Sequence, residues 1–522
     1  MFSISITYRL ALWIYVICDI VSGLIPTTST STLDLSLTHQ PTKSSPLCPV
    51  SCRCSRILSS PYYGRQTVMA ACDRPIHDDD RFDPETEVVR VTGNCHRSFV
   101  SVMVSVGVLS APRELSLRRC HVYTVEQLML ASDAVNWGTV FELDVGYNLI
   151  ARVDDRAFVK MSSLLTLVLS YNRIETISQD AFGGLNDLAK LDLTGNRLSM
   201  VTRADMRWLC ALRSLHELNL RANWVHVLAA SGFRCRPTSC RLQRLDLGEN
   251  RIRRVEDDAF VGLSNITQLH LDSNQLTTLP VTALVKLSAS LEELDMNGNQ
   301  MDSLLTHSFR DLSAMRVLRL NRMPTLRFVD RNSFVNLSSL ERVELSGNAA
   351  LKYVDRDAFL NVPNITNISL AGCALSAVDR QLVEALTSLK SVDLRLNPID
   401  CDCHTKWMRL SNVTLVNFGV WQQCKDDPGG TGCPPRIATL FHAELDVQLT
   451  DSFSLYCRAV GYPAPQVTWS LPTSIDSNFS STQVQRHNIV TCSIGLLNVI
   501  TPDSSTLVKK MHKVASEYMQ AQ

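Results

Sequence analysis

Seventeen cysteines in 522 residues are the densest source of chemistry in this chain. Eight fall into two groups: Cys48, Cys52, Cys54 and Cys72, then Cys401, Cys403, Cys424 and Cys433. Four thiols at such spacing can hold a zinc ion or close two disulfides, and spacing alone leaves three connectivities open in each group. The N-terminus bears on the choice. Arg9 precedes an apolar run from Leu10 to Cys18, and Val21-Ser22-Gly23 follows with residues suited to signal-peptidase cleavage. A run this short does not cross about 30 Å of hydrocarbon, so residues 1–23 read as a cleaved signal peptide. Exported thiols oxidise, which favours disulfides over zinc.

Other reactive signatures are absent. There is no H-E-x-x-H, no G-x-S-x-G elbow, no P-loop and no kinase set. The 12 histidines are scattered, and His404 beside Cys403 reads as a solvated residue. Lys and Arg number 51 against 51 Asp and Glu, a balance that argues against a nucleic-acid binder or a polybasic membrane-surface protein. With 45% apolar and 20% charged residues the bulk is expected to fold. The expectation is therefore no enzyme, no cofactor, no metal and no nucleic-acid partner.

The elements that would position binding groups come from a repeat. L-x-L-x-x-N-x-L recurs from Leu143 to Asn397, best seen in Leu167-Val168-Leu169-Ser170-Tyr171-Asn172 and Leu245-Asp246-Leu247-Gly248-Glu249-Asn250. The last position of the hexamer falls at Asn148, Asn172, Asn196, Asn223, Asn250, Asn274, Asn299, Met323, Asn348, Cys373 and Asn397, every 24 to 27 residues. A weaker copy, Leu115-Ser116-Leu117-Arg118-Arg119-Cys120, precedes them. This is the leucine-rich repeat period. In each coil a short strand points its two leucines inward, and the asparagine satisfies backbone groups at the bend. Later apolar residues, such as Ile174, Ile177, Phe182 and Leu185, close the far side. A single coil cannot bury its own leucines and stacked coils can. The expected fold is a leucine-rich repeat solenoid, a curved parallel-sheet horseshoe with disulfide-capped ends, followed by a partial all-β immunoglobulin-like sandwich.

The ends of the stack carry the resemblance. Cys48-Pro49-Val50-Ser51-Cys52-Arg53-Cys54 with Cys72 resembles the cysteine-rich N-terminal cap of extracellular leucine-rich repeat proteins. Asn397-Pro398-Ile399-Asp400-Cys401-Asp402-Cys403 with Trp407, Cys424 and Cys433 resembles their C-terminal cap. The resemblance implies Cys48–Cys54 with Cys52–Cys72, and Cys401–Cys424 with Cys403–Cys433. Beyond Pro434-Pro435, Cys457 to Trp469 resembles strands B and C of an immunoglobulin domain, with Trp 12 residues after Cys. Leu496 to Ser504 resembles strand E. The expected Tyr-x-Cys of strand F does not follow, and Cys492 is misplaced as partner of Cys457. The whole order resembles the LRR–Ig cell-surface proteins of the Kekkon, LINGO and LRIG kind.

The expected domains are then residues 1–23 signal, 24–46 Ser/Thr-rich linker, 47–85 N-terminal cap, 86–397 about twelve repeats, 398–434 C-terminal cap, 435–505 incomplete Ig-like domain and 506–522 polar tail. N-x-S/T sequons stand at Asn265, Asn336, Asn364, Asn367, Asn412 and Asn478. Cys120 and Cys373 occupy ladder positions and read as buried free thiols. Cys210–Cys240 is a plausible extra staple that leaves Cys235 unmatched, and Cys95 has no assigned partner.

Binding is the expected task, on the strand positions that face solvent. The residue four before the ladder is acidic at Asp144, Asp192, Asp246 and Asp295, after which Arg319, Arg322 and Arg342 cluster; the reading is a dipolar ligand surface. Asp is also frequent in such repeats simply as a solvated residue. Tyr147 and Tyr171 precede the ladder on neighbouring coils and are expected about 5 Å apart at one rim, as interface anchors or as a brace. Trp224 is expected to fill the core. Asn367 is expected on the open strand and Asn364 to be the better glycan acceptor. The functional expectation is an extracellular protein-recognition module, a ligand-binding or adhesion ectodomain. A secreted matrix protein of the small leucine-rich proteoglycan type is the second reading, and an enzyme with a dispersed site the third. As written the chain is expected to be secreted, and membrane-bound if its product continues past Gln522.

Overall fold

A computed structural model describes residues 48–49, 51–58, 66–74, 82–83, 85–93, 111–130, 135–235 and 241–399, with shorter segments between 405 and 513. The chain divides at Pro46 into two units, and the first unit, with the signal and linker readings, lies outside the described residues.

The second unit is organised by a 16-stranded sheet whose strands follow one another in chain order. Cys52–Leu58 and Gln66–Cys72 pair antiparallel, and the strands after them add in parallel. The register places leucine beside leucine: Leu143 opposite Leu167, Leu167 opposite Leu191, Leu218 opposite Leu245. In strands such as Glu142–Asp144 and Thr166–Val168 the middle residue is buried and its neighbours are half-buried, as the two-residue period of a strand requires. Each coil brings its leucines to one interior, and the stack shares a single continuous core.

A ladder of amides runs down the edge of that core. Asn172 Nδ2 donates to Leu169 O in its own coil and to Val145 O in the coil before, both at 3.0 Å, while its Oδ1 accepts from Ile150 N–H at 3.0 Å. Asn196, Asn223, Asn250 and Asn274 repeat this arrangement, and all are buried. Carbonyls that a bend would orphan inside the protein are thus paired across coils. At Cys373 the thiol takes the donor role, 3.2 Å from Leu345 O. On the far side Ile174, Phe182 and Leu185 are fully buried, and Ile177 packs against them. Phe309, Phe334 and Phe359 stack there with centroids 5.6 and 4.6 Å apart.

Disulfides close Cys48–Cys54 and Cys52–Cys72 at the first strands. Two expectations change. Cys210 is bonded to Cys235, not Cys240; the separation of 25 residues is close to one repeat, so both sulfurs occupy one column on adjacent coils, with Cα atoms 5.3 Å apart. Cys120 is disulfide-bonded and not free, with its partner outside the described residues, whereas Cys373 is free and buried. Cys401, Cys403, Cys424, Cys95 and Cys240 lie outside the described residues, and Cys433 is described by its backbone alone.

Beyond the solenoid only backbone strands are described. Cys433–Thr439 pairs antiparallel with Cys457–Tyr462. Gln466–Ser470 pairs in parallel with Ile489–Asn498, which departs from the all-antiparallel sheets of an immunoglobulin sandwich. Lys509–Lys513, within the expected polar tail, is a strand between Glu444–Val447 and Ile489–Asn498. Polar composition reports that side chains are solvated, and backbone pairing on both sides is compatible with that.

Candidate recognition surface

The half-buried column four residues before the ladder, expected from sequence, is assembled in register at the ends of the strands: Asp144 beside Val168, then Asp192, Asn219, Asp246, His270, Asp295, Arg319 and Glu344. Its acidic bias has a local cause. Asp144, Asp192, Asp246 and Asp295 each accept the backbone N–H two residues on, at 2.8 to 2.9 Å. A short carboxylate there satisfies a donor at the strand's end, so aspartate recurs for the backbone's sake as well as for any ligand.

Charge on this face is largely compensated. Asp144 pairs with Arg118 at 3.3 Å. Arg319 lies against Glu293 and 3.7 Å from Glu344, and Arg342 lies 3.9 Å from the same Glu344. The expected basic end of a dipole is therefore neutralised by glutamates of adjacent coils. Arg322 is exposed at the rim without an ion pair among the described residues. Asp192 and Asp295 likewise have none, and burial, with Asp272 nearby, pushes the Asp295 carboxyl above its ordinary value.

Between them sits an ionic hub. Arg221 reaches Asp272 at 2.7 Å, Glu249 at 2.9 Å and Asp246 at 3.4 Å. His270 Nδ1 lies 3.7 Å from Asp246 Oδ2. That carboxylate raises the imidazole pKa; burial opposes the charge on Asp246, but His270, the Gly248 N–H and Arg221 together hold its pKa low. Ligand atoms of Asp246, His270 and Asp272 fall within 4.8 Å of one another, a spacing a metal ion could use. The Arg221 guanidinium already occupies Asp272, so the hub is built as an ion-pair lock across three coils. A cavity of about 350 Å³ opens beside it, lined by Glu217, Asn219, Arg244, Asp246, Gln268, His270 and Glu293.

The rim shows what the sequence reading missed. Every residue immediately before a ladder position has a left-handed backbone, from Arg119 (φ 58) through Tyr147 (57), Tyr171 (53), Gly195 (69) and Ala222 (55) to Leu396 (57). The signal was present as glycine at Gly195, Gly298, Gly347 and Gly372 in one column. Tyr147 and Tyr171 stack at 4.5 Å with planes 14° apart, and remain 37% and 48% exposed. Trp224 is not in the core: it is 43% exposed, with Arg197 and Arg251 each 5.5 Å from its ring. The residue after it, Val225, is the one turned inward, which the helix-free alternation of the coil makes inevitable.

Among the sequons, Asn265 is exposed, while Asn336 and Asn364 are exposed with their amides bonded to Asp311 and Ser338 O. Asn367 begins strand Asn367–Ser369 and donates to Ser391 Oγ at 2.6 Å. Asn412 and Asn478 lie outside the described residues. No described helix is long and apolar enough to cross a membrane.

The family comparison agrees with the coil geometry. Residues 139–198, 240–301 and 289–349 match the family model described as Leucine rich repeat. Leucine-rich repeat-containing protein 4B of Mus musculus is 42% identical over 77 residues, 14% of this chain and 10% of that protein. Osteomodulin of Rattus norvegicus is 32% identical over 108 residues, 20% of this chain and 24% of that protein. The chain thus spans a minor part of the length of these relatives. Among solved structures, a TLR13–ssRNA13 complex gives a TM-score of 0.45 at 19% identity, covering 64% of this chain and 57% of that one. The octameric complex of Latrophilin 3, Unc5D and FLRT2 gives 0.41 at 18% identity, covering 71% and 93%. Repeat spacing, leucine register, amide ladder and family match converge on leucine-rich repeats over residues 139–198 and 240–349.

Proposed function

We propose that this chain is an extracellular protein-recognition module that binds a cell-surface or secreted protein ligand and performs no catalysis. The observation that carries the reading is the solvated sheet face, where Asp192 and Asp295 lack ion-pair partners among the described residues and flank the hub and its cavity. A rigid face with fixed carboxylates outside any described ion pair offers electrostatic complementarity to a basic patch, with specificity and association rate as the main gains. Asp144, Asp246, Arg319, Arg322 and Arg342 would then set the charge pattern around the contact. Within this reading residues 435–505 form an Ig-like segment that supplies spacing or a second contact, as in the Kekkon, LINGO and LRIG proteins, and the product is a receptor or adhesion ectodomain. Sugar on Asn265 would leave the sheet face open.

The test is binding of the purified full chain to intact cells, measured against Asp192→Lys/Asp295→Lys. Saturable binding that weakens with salt and falls about tenfold in the variant is expected. Binding unaffected by both salt and the variant, or turnover of a substrate at this face, would overturn it.

A further inference from the structure

We infer that the rim beside the ladder, from Arg118 to Arg251, is a second contact surface, and that its partner is an acidic polypeptide segment carrying apolar side chains. It rests on the recognition reading but uses residues other than those of the sheet face. Among the described residues the exposed large aromatics are Tyr123, Tyr147, Tyr171 and Trp224, and each lies within three positions of a ladder residue between Cys120 and Asn223. Aromatic side chains so concentrated, and absent from the rest of the described surface, mark an interface more than a solvated edge.

Two of them are held at a cost. Tyr147 and Tyr171 occupy the left-handed column in which four coils carry glycine, a conformation that is strained for a non-glycine residue. Their single ring stack offsets the strain of one residue at most. A brace between coils would therefore contribute little net stability, since the remaining coils do without it.

The cations define the partner. Arg118 and Arg119 stand 4.8 and 5.2 Å from the Tyr147 ring, and the Arg197 and Arg251 guanidiniums come to Trp224 from the coils on either side. Arg119, Arg173 and Arg251 have no ion-pair partner among the described residues. Carboxylates fit these donors. The rings do not offer stacking platforms for bases: Tyr147 has Tyr171 on one side and guanidiniums on the other. Tyr171 in turn lies on Gly195, where an added Cβ would come 2.7 Å from its Cδ1. Glu175 and Asp144 interrupt the cations and would repel a continuous run of phosphates or sulfates. What the rim exposes is ring edges, phenol hydroxyls and guanidinium forks, suited to alternating acidic and apolar side chains. Five coil steps span about 24 Å, the reach of roughly seven residues of extended peptide.

The experiment selects a random dodecapeptide phage library on the immobilised full chain, then titrates enriched peptides by fluorescence anisotropy. Expected are net-acidic peptides with apolar residues whose affinity falls about tenfold in Arg119→Glu/Arg251→Glu. Tyr147→Gly, which relieves backbone strain, is expected to weaken binding several-fold without lowering the melting temperature; this variant carries the test if the double variant does not fold. Enriched peptides without acidic bias, or indifferent to the rim variants, overturn the inference. So does tighter rim-dependent binding of a heparin fragment or an oligouridylate, or a loss of melting temperature in Tyr147→Gly with binding intact. Binding lost in Asp192→Asn/Asp295→Asn yet intact in the rim variants overturns it while leaving the sheet-face reading standing; no enrichment at all also overturns it and leaves the sheet-face reading to its own cell-binding test.

Discussion

Two columns, one residue apart, obey opposite constraints. At the ladder the side chain is nearly fixed: the asparagines, and Cys373 in their place, bond to the coil before them, and Met323 is a buried apolar exception. One position earlier the backbone is fixed and the side chain is not. All positions of that column share a positive φ, yet they carry Arg, Tyr, Gly, Ala, Glu, Ser and Leu. The first column is where the fold is specified. The second is where surface chemistry can change, because from Tyr147 to Gly372 its geometry is held by the hydrogen bond each N–H makes to the next coil, such as Tyr147 N–H to Ser170 O at 2.8 Å.

The sharpest way to break the comparison is Asn250→Ala. It orphans Leu220 O, Leu247 O and Val225 N–H, and should cost on the order of 3–5 kcal/mol in urea denaturation; a loss below about 1 kcal/mol would deny the ladder its role. Next is Gly195→Val, which places a β-branched residue at φ 69 and drives its Cβ into Tyr171; about 2–3 kcal/mol of lost stability is expected, with loss of the ring stack seen in near-ultraviolet circular dichroism. Leu396→Gly tests the same column with the opposite sign. Leu396 is 83% exposed at φ 57, so glycine should raise stability by about 0.5–1 kcal/mol, and a loss would mean the side chain is bound to something. The smallest effect concerns a ladder surrogate. Burial pushes the Cys373 thiol up to about 11, so at pH 8 it should resist alkylation in the folded chain and react only on denaturation, as mass spectrometry would show.

Much of this was readable in advance because repetition averages out local noise. Leucine spacing set the strand register, and the asparagine positions set the ladder. The proximity of Tyr147 and Tyr171 followed from their equal offsets. Other features were hidden for physical reasons. Trp224 reads as core by hydrophobicity, and only the guanidiniums contributed by two other coils explain its exposure. Arg319 reads as free charge until the strand register sets Glu293 and Glu344 beside it. The partner of Cys210 depends on how the two long coils distribute their extra residues, which spacing does not say. The strand at 509–513 depends on backbone pairing, to which a polar side-chain pattern is silent.

The Cys210–Cys235 crosslink has a mechanical side. A stack of coils pulled from its ends would peel one turn at a time, each releasing slack as it came away. The bond shorts out 25 residues between its sulfurs, withholding about 85 Å of contour length that an unclasped chain would pay out. Reduction of that single bond should lengthen the corresponding step in an optical-trap extension trace, so the clasp sets how far the molecule can stretch between whatever it holds at either side.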